Sequence, residues 1–298
     1  MNGTQMASPR NCLLLVGYGQ ANTRAAIDFC NRTFFWIPRR QRIMTANSPG
    51  MLSDRPLLRR LRGWQVTAGS NRQHEFSGWQ EGLDVLRAES DAPFSAVLVN
   101  DTVTVHRRFS LPRRAAFIRA AREEPASGLV GFTDGLASGA PFTIAGHVSR
   151  RWVSSYLMYL DARALARLDH RIWLRELNEC CVPGGTDPST FFSGEVSASL
   201  SEHLRRWLFE RGWYRSEPLS RSNAPMFTLK ARSIVNEILL SARARHPAFA
   251  ISDPFERFPA LARWDRRLKR WRMTLAEAGI SLRAQTNRTS TDRYWRLR

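Results

Sequence analysis

Four acidic side chains stand where carboxylates can do chemistry: Glu75, Asp101, Asp134 and Glu195. Each falls where the sequence pattern ends a strand or begins a helix. A carboxylate so placed can take a proton from an attacking hydroxyl, or give hard oxygen ligands to a divalent cation. The approach to the first is unusual. "SNRQHEFSGWQEGLDVL" spans residues 70–86, and Trp79, Leu83 and Leu86 recur in it at helical spacing. Asn71, Arg72, Gln73, His74 and Glu75 are all polar, whereas a plain helix start needs a single capping residue.

The simpler chemical motifs are absent or incomplete. Gly17-Tyr18-Gly19 follows an apolar run, but Asn22 stands where a dinucleotide fingerprint needs its third glycine. There is no glycine–lysine phosphate loop and no G-x-S-x-G. His74, His106, His147, His170, His203 and His246 lack zinc-hydrolase spacing. No helix-turn-helix or zinc-finger pattern is found.

The elements that must position the acids read as alternating strands and helices. Strands are expected at 11–19, 42–48, 94–102, 128–135 and 151–161, and a short helix at 56–66 runs into another strand. Helices are expected at 21–34, after Gly78, and from about Val196 to Arg211 with Glu195 at its head and Gly212 closing it. A βαβα order implies an α/β fold with a parallel-cored sheet, whose ligands bind beyond the C-terminal strand ends. Asn47, Asn71, Asn100 and Asp101 are expected along that edge.

Four segments in order resemble one family. They are Asn71 with Glu75-Phe76-Ser77-Gly78-Trp79 and Gly82-Leu83; Val97-Leu98-Val99-Asn100-Asp101-Thr102; Gly131-Phe132-Thr133-Asp134; and Ser155-Tyr156-Leu157. Together they resemble the rhamnan-synthesis F family of bacterial glycosyltransferases over roughly residues 11–215. The resemblance implies a GT-A-like, Rossmann-related mixed sheet flanked by helices. It implies sugar transfer from a nucleotide-sugar to a cell-surface polysaccharide or lipid-linked saccharide. Asn71, Glu75, Gly78, Asn100, Asp101, Ser155 and Tyr156 are then the donor-binding residues, with Gly78 allowing close backbone approach. Asp101 is the implied ligand of a Mn²⁺ or Mg²⁺ ion that offsets the leaving diphosphate. The chain has no D-x-D, so arginines are the alternative to a metal. Glu195 is the expected base of an inverting displacement, with Asp134 the second choice. Where the family often has His-Leu-Gln before Ser-Tyr, this chain has Trp152-Val153-Ser154.

Composition bounds the rest. Residues with basic side chains number 45 against 26 acidic ones, giving a net charge of +19, and only Lys230 and Lys269 are lysines. Arginine forks onto phosphate oxygens, so anionic partners are expected. Phe258, Leu261, Trp264, Leu268, Trp271 and Leu275 recur at helical steps among Arg263, Arg266, Arg267, Lys269, Arg270 and Arg272. Such a basic amphipathic helix suits an anionic membrane surface, or packs its apolar face on the sheet domain. The expected organisation is a loose start (1–10), a glycosyltransferase domain (11–245) and a basic helical extension (246–298). Four cysteines without metal or disulfide spacing, and no bilayer-length apolar run, suggest a cytoplasmic protein, peripheral at the inner membrane. A nucleic-acid-binding protein and a catalytically inactive scaffold are the rival readings; no nucleic-acid partner is expected on the glycosyltransferase reading.

Overall fold

The structure, a computed structural model, describes residues 9–277 apart from 107–108, 124–127, 174–179, 182–184, 211, 214 and 246–249. Its first half alternates strands β1 (Arg10–Gly17), β2 (Arg42–Ala46), β3 (Gln65–Ala68), β4 (Arg72–His74) and β5 (Phe94–Asn100) with helices α1 (Gln20–Thr33), α2 (Arg55–Arg60) and α3 (Glu75–Glu89). Helices α4 (Val103–His106) and α5 (Leu111–Arg122) lead to β6 (Leu129–Gly135), the hairpin β7 (Phe142–Ile144) and β8 (His147–Ser149), and β9 (Arg151–Leu160). Then come α6 (Ala162–Arg167), α7 (Ala198–Arg205), α8 (Ala224–Ala244), β10 (Ile251–Ser252), α9 (Pro254–Arg257) and α10 (Pro259–Glu277).

Seven strands form one mixed sheet in the order β10-β6-β9-β5-β1-β2-β3. Strands β3, β2, β1 and β5 pair in parallel, as do β10 and β6, and β9 runs antiparallel to both β5 and β6. The expected α/β fold, a mixed sheet flanked by helices, is therefore present. The strands are apolar on both sides because both sheet faces are covered. On β1, Leu13 and Leu15 face a cluster with Phe29, Phe34 and Phe117 from the α1–α5 side. Cys12, Leu14 and Val16 face Phe76, Trp79 and Leu240 from α3 and α8. A third cluster joins the hairpin to α7 and α8 through Phe142, Ile144, Leu200, Phe227 and Val235.

One expectation needs correction. The sheet does not end before 245, because Ile251 and Ser252 pair with Leu129 and Val130. A two-residue edge strand has no pattern of its own, and its place comes from the helices on either side. The helix expected from about Val196 is present as α7, which begins at Ala198 after Ser197 and passes into a π turn over 206–210. Residues 1–8 of the expected loose start lie outside the described residues.

Candidate functional site: a carboxylate–serine cluster

The polar stretch before α3 is a strained and tightly fastened turn. Asn71 and His74 have φ of 52° and 49°, values that non-glycine residues adopt at a cost of about 1–3 kcal/mol. Hydrogen bonds hold the turn in place. Asn47 Nδ2 donates to the His74 carbonyl at 3.1 Å and to Asn71 Oδ1 at 3.4 Å. Gln73 N donates to Ser77 Oγ at 3.1 Å, and that hydroxyl donates to the His74 carbonyl at 3.0 Å. The turn delivers Glu75 to the head of α3, where it is 5% exposed and looks inward.

There it meets β9. The register sets Val99 opposite Leu157 and Thr133 opposite Val153, so Ser154 and Ser155 lie just past the end of β5 and beside the register shift between Gly131 and Thr133 of β6. Ser155 Oγ donates to Glu75 Oε1 at 2.8 Å, and Ser155 N donates to Glu237 Oε2 at 2.6 Å. The preceding hydroxyl, Ser154 Oγ, donates to Asp134 Oδ2. Two serines thus tie three carboxylates from α3, β6 and α8 along the C-terminal edge of the sheet.

Their surroundings push the carboxylates apart. Burial raises Glu237, and the fields of Glu75 and Asp134 add to it, bringing its pKa to about 7 against the bonds from Ser155. Burial also opposes charge on Glu75, but Lys230 and His74 outweigh it and hold Glu75 below the ordinary range. His74 is itself lowered, by burial first and then by Lys230 and Arg215. Paired groups driven in opposite directions are the usual electrostatic basis for separate acid–base roles. Glu237 and Lys230, both on α8, were not among the residues expected from sequence. Their signal is a lone acid in the apolar run "IVNEILL" and one of only two lysines in the chain.

The other expected residues are placed as follows. Asp101 is 1% exposed, and its Oδ2 accepts hydrogen bonds from Tyr18 N (2.8 Å), Gly19 N (3.2 Å) and Thr23 Oγ1 (3.0 Å). It fastens the Gly17-Tyr18-Gly19 turn to the end of β5, and burial raises its pKa despite those bonds. Asn100 Oδ1 accepts from Thr102 N (3.1 Å) and Thr102 Oγ1 (3.2 Å), closing the turn after β5. Gly78 admits protein rather than ligand: a Cβ there would meet Val16 Cγ2 at 2.8 Å. Tyr156 packs edge-on against Phe109 in the core cluster, at 5.9 Å between ring centroids. Glu195 is exposed in the turn before α7, where its carbonyl accepts from Ala145 N at 2.8 Å. The structure brings Glu75, Asp134 and Ser155 together and leaves Glu195 outside their hydrogen-bond network.

The residues present do not fit a divalent cation resident at Asp101. One carboxylate oxygen is taken by three donors, and the other, Oδ1, is sealed from solvent with no partner. Among the described residues no group of three His, Cys, Asp or Glu side chains is arranged to hold a metal. Asn47 and the Tyr18 hydroxyl are likewise sealed from solvent at the ends of β2 and β1, where the Asn47 side chain acts on Tyr18 as a hydrogen-bond partner.

No protein-family model and no curated protein matches the chain. Among solved structures it is similar to 4-diphosphocytidyl-2C-methyl-D-erythritol synthase, at 12% identity and a TM-score of 0.33, over 53% of this chain and 79% of that one. It is also similar to the mannosyltransferase PcManGT from Pyrobaculum calidifontis, in complex with GDP-Man and Mn2+, at 12% identity and a TM-score of 0.33, over 91% of this chain and 84% of that one. Likenesses this low leave any functional reading to the chain's own geometry and motifs.

Proposed function

We propose that the chain is a GT-A-like glycosyltransferase that moves a sugar from a nucleotide-sugar donor to a saccharide acceptor at the carboxylate–serine cluster. The observation that carries the reading is the pair of carboxylates on Ser155, at the sheet edge where an open α/β fold binds its ligands. The donor lies at the C-terminal ends of the parallel strands, with Asn71 and Glu75 on one side. In an inverting displacement the acceptor oxygen bonds to the anomeric carbon as the bond to the diphosphate breaks. The acceptor hydroxyl gives its proton to a carboxylate. Glu237, poised at about 7, suits that task at neutral pH, and Asp134 sets its environment. Glu195 is the alternative base, and its exposure would suit an acceptor that closes over it.

The surface-glycan acceptor rests on the motif resemblance. The exposed flank of α10 supports a lipid-linked one: Trp264 and Trp271 are 49% and 54% exposed among arginines, as a helix lying on an anionic leaflet requires. A melting-temperature panel of UDP-, GDP-, dTDP- and CMP-sugars tests the reading, since a ligand that binds only the folded state raises the midpoint. One donor family is expected to raise it. No shift with any donor at millimolar concentration would overturn the proposal.

A further inference from the structure

The sheet edge that carries the Ser155 carboxylates is also the edge towards which α10 runs. Arg119, in the last turn of α5, lies 4.7 Å from the centroid of the Phe258 ring, and Arg257 donates to the Glu123 carbonyl at 2.9 Å. Asp265 accepts from Ser110, the residue that caps the start of α5. Helix α10 is therefore antiparallel to α5, which begins beyond the end of β5. Residues 266–277 continue past that point by about 18 Å at the helical rise. None of residues 266–275 is buried, and a helical stretch this short that packs on so little is marginal in water without a surface to lie on. Arg266, Arg267, Arg270 and Arg272 are exposed on it and make no ion pair among the described residues.

Exposed apolar side chains outside α10 gather at the same edge. Leu52 follows β2, Leu111 opens α5 after β5, and Val148 lies in the hairpin between β6 and β9; they are 40%, 70% and 63% exposed. Each stands past the C-terminal end of a strand of the main sheet. Arg55, at the start of α2, and Arg72, in the turn before α3, are exposed there without an acidic partner among the described residues. The opposite edge exposes Phe35 with Arg39 and Arg40, but α10 runs away from it. Aliphatic side chains on separate loops, set among arginines, suit the boundary between anionic headgroups and acyl chains. A soluble polyanion would engage the arginines and leave the leucines in water.

We propose that this edge, and not the opposite one, is laid on an anionic lipid leaflet, so that the carboxylate–serine cluster faces the headgroup layer. The inference rests on the lipid-linked acceptor of the proposed reaction and names how the site is turned towards it. Its test is the full chain carrying one environment-sensitive fluorophore on an introduced cysteine, the native cysteines all being buried. Ser53→Cys and Ser138→Cys set the label at the site edge, and Gln65→Cys and Ala92→Cys at the opposite edge, all at exposed positions. The melting temperature of each variant verifies that it is folded. On vesicles of phosphatidylglycerol and phosphatidylcholine, labels at positions 53 and 138 are expected to shift to the blue and to be quenched by a bilayer-borne nitroxide. Labels at 65 and 92 are expected to stay as in buffer, and phosphatidylcholine alone is expected to leave all four unchanged. A response at 65 and 92 in place of 53 and 138, an equal response at all four, or none at any overturns the inference. Each of these outcomes leaves donor binding untouched, so the melting panel of nucleotide-sugars decides the transferase reading separately.

Discussion

Ser155 carries a carboxylate at each end, one on its hydroxyl and one on its amide, and the two respond differently to pH. Glu237 rises from an ordinary 4.5 to about 7, so the unfolded chain releases this proton first as pH increases. Its contribution to stability is complete below about 4.5 and is lost as pH climbs towards about 7, by up to about 3 kcal/mol. We predict that the wild-type melting temperature falls between about pH 5 and about pH 8, and that Glu237→Gln flattens the fall. An equal fall in both proteins would remove Glu237 from that role. Asp101 tests differently. Removing its side chain strands three donors, so Asp101→Ala should lower stability by about 2–3 kcal/mol in urea unfolding, with or without added Mn²⁺. The prominence of Asp101 was legible in "VLVNDT", but its task was not. A carboxylate that fastens a glycine turn and one that holds a metal look alike until the donors around it are known.

At the scale of elements, the expected strands and the amphipathic helices of the first half were legible from apolar runs and spacing, because each buries a face that its own sequence defines. Helix α3 is the clearest case, with Trp79, Leu83 and Leu86 all buried. Its opening turn was legible only as an excess of polar residues; the positive φ at His74 leaves no mark on a histidine. Gly78 was expected to face a ligand, but Val16 fills that side. Gly78→Ala is therefore predicted to cost about 1–3 kcal/mol in denaturant unfolding while the folded fraction keeps its donor affinity. A stable variant that loses the donor would restore the ligand-facing role. Helix α8 was missed although it supplies both Lys230 and Glu237. Its apolar positions are buried under the sheet and the hairpin, and periodicity marks that buried face without singling out Lys230 or Glu237 as site residues.

At the scale of the whole molecule, the net charge of +19 is gathered in part on α10. That helix docks on α5 through Ala262 and through Asp265, which bonds Ser110 and pairs with Arg113 at 3.4 Å. Its apolar stripe was expected either to pack on the core or to meet a membrane. Trp264 and Trp271 remain exposed, so packing does not consume the stripe. No described helix is long and apolar enough to cross a membrane. Replacing both tryptophans by serine should weaken binding to anionic vesicles in a sedimentation assay without lowering the melting temperature. Unchanged sedimentation would deny α10 that surface. Tertiary contact explains why the stripe stayed ambiguous: periodicity marks an apolar face but not what covers it. The central claim, glycosyl transfer at the Ser155 carboxylates, is tested most directly by nucleoside diphosphate release from the donor that most raises the melting temperature. The account predicts turnover by the wild type, lowered about a hundredfold or more in Glu237→Gln with donor binding retained. Full-rate release by Glu237→Gln, or none by the wild type with a donor and an acceptor extract present, would contradict it.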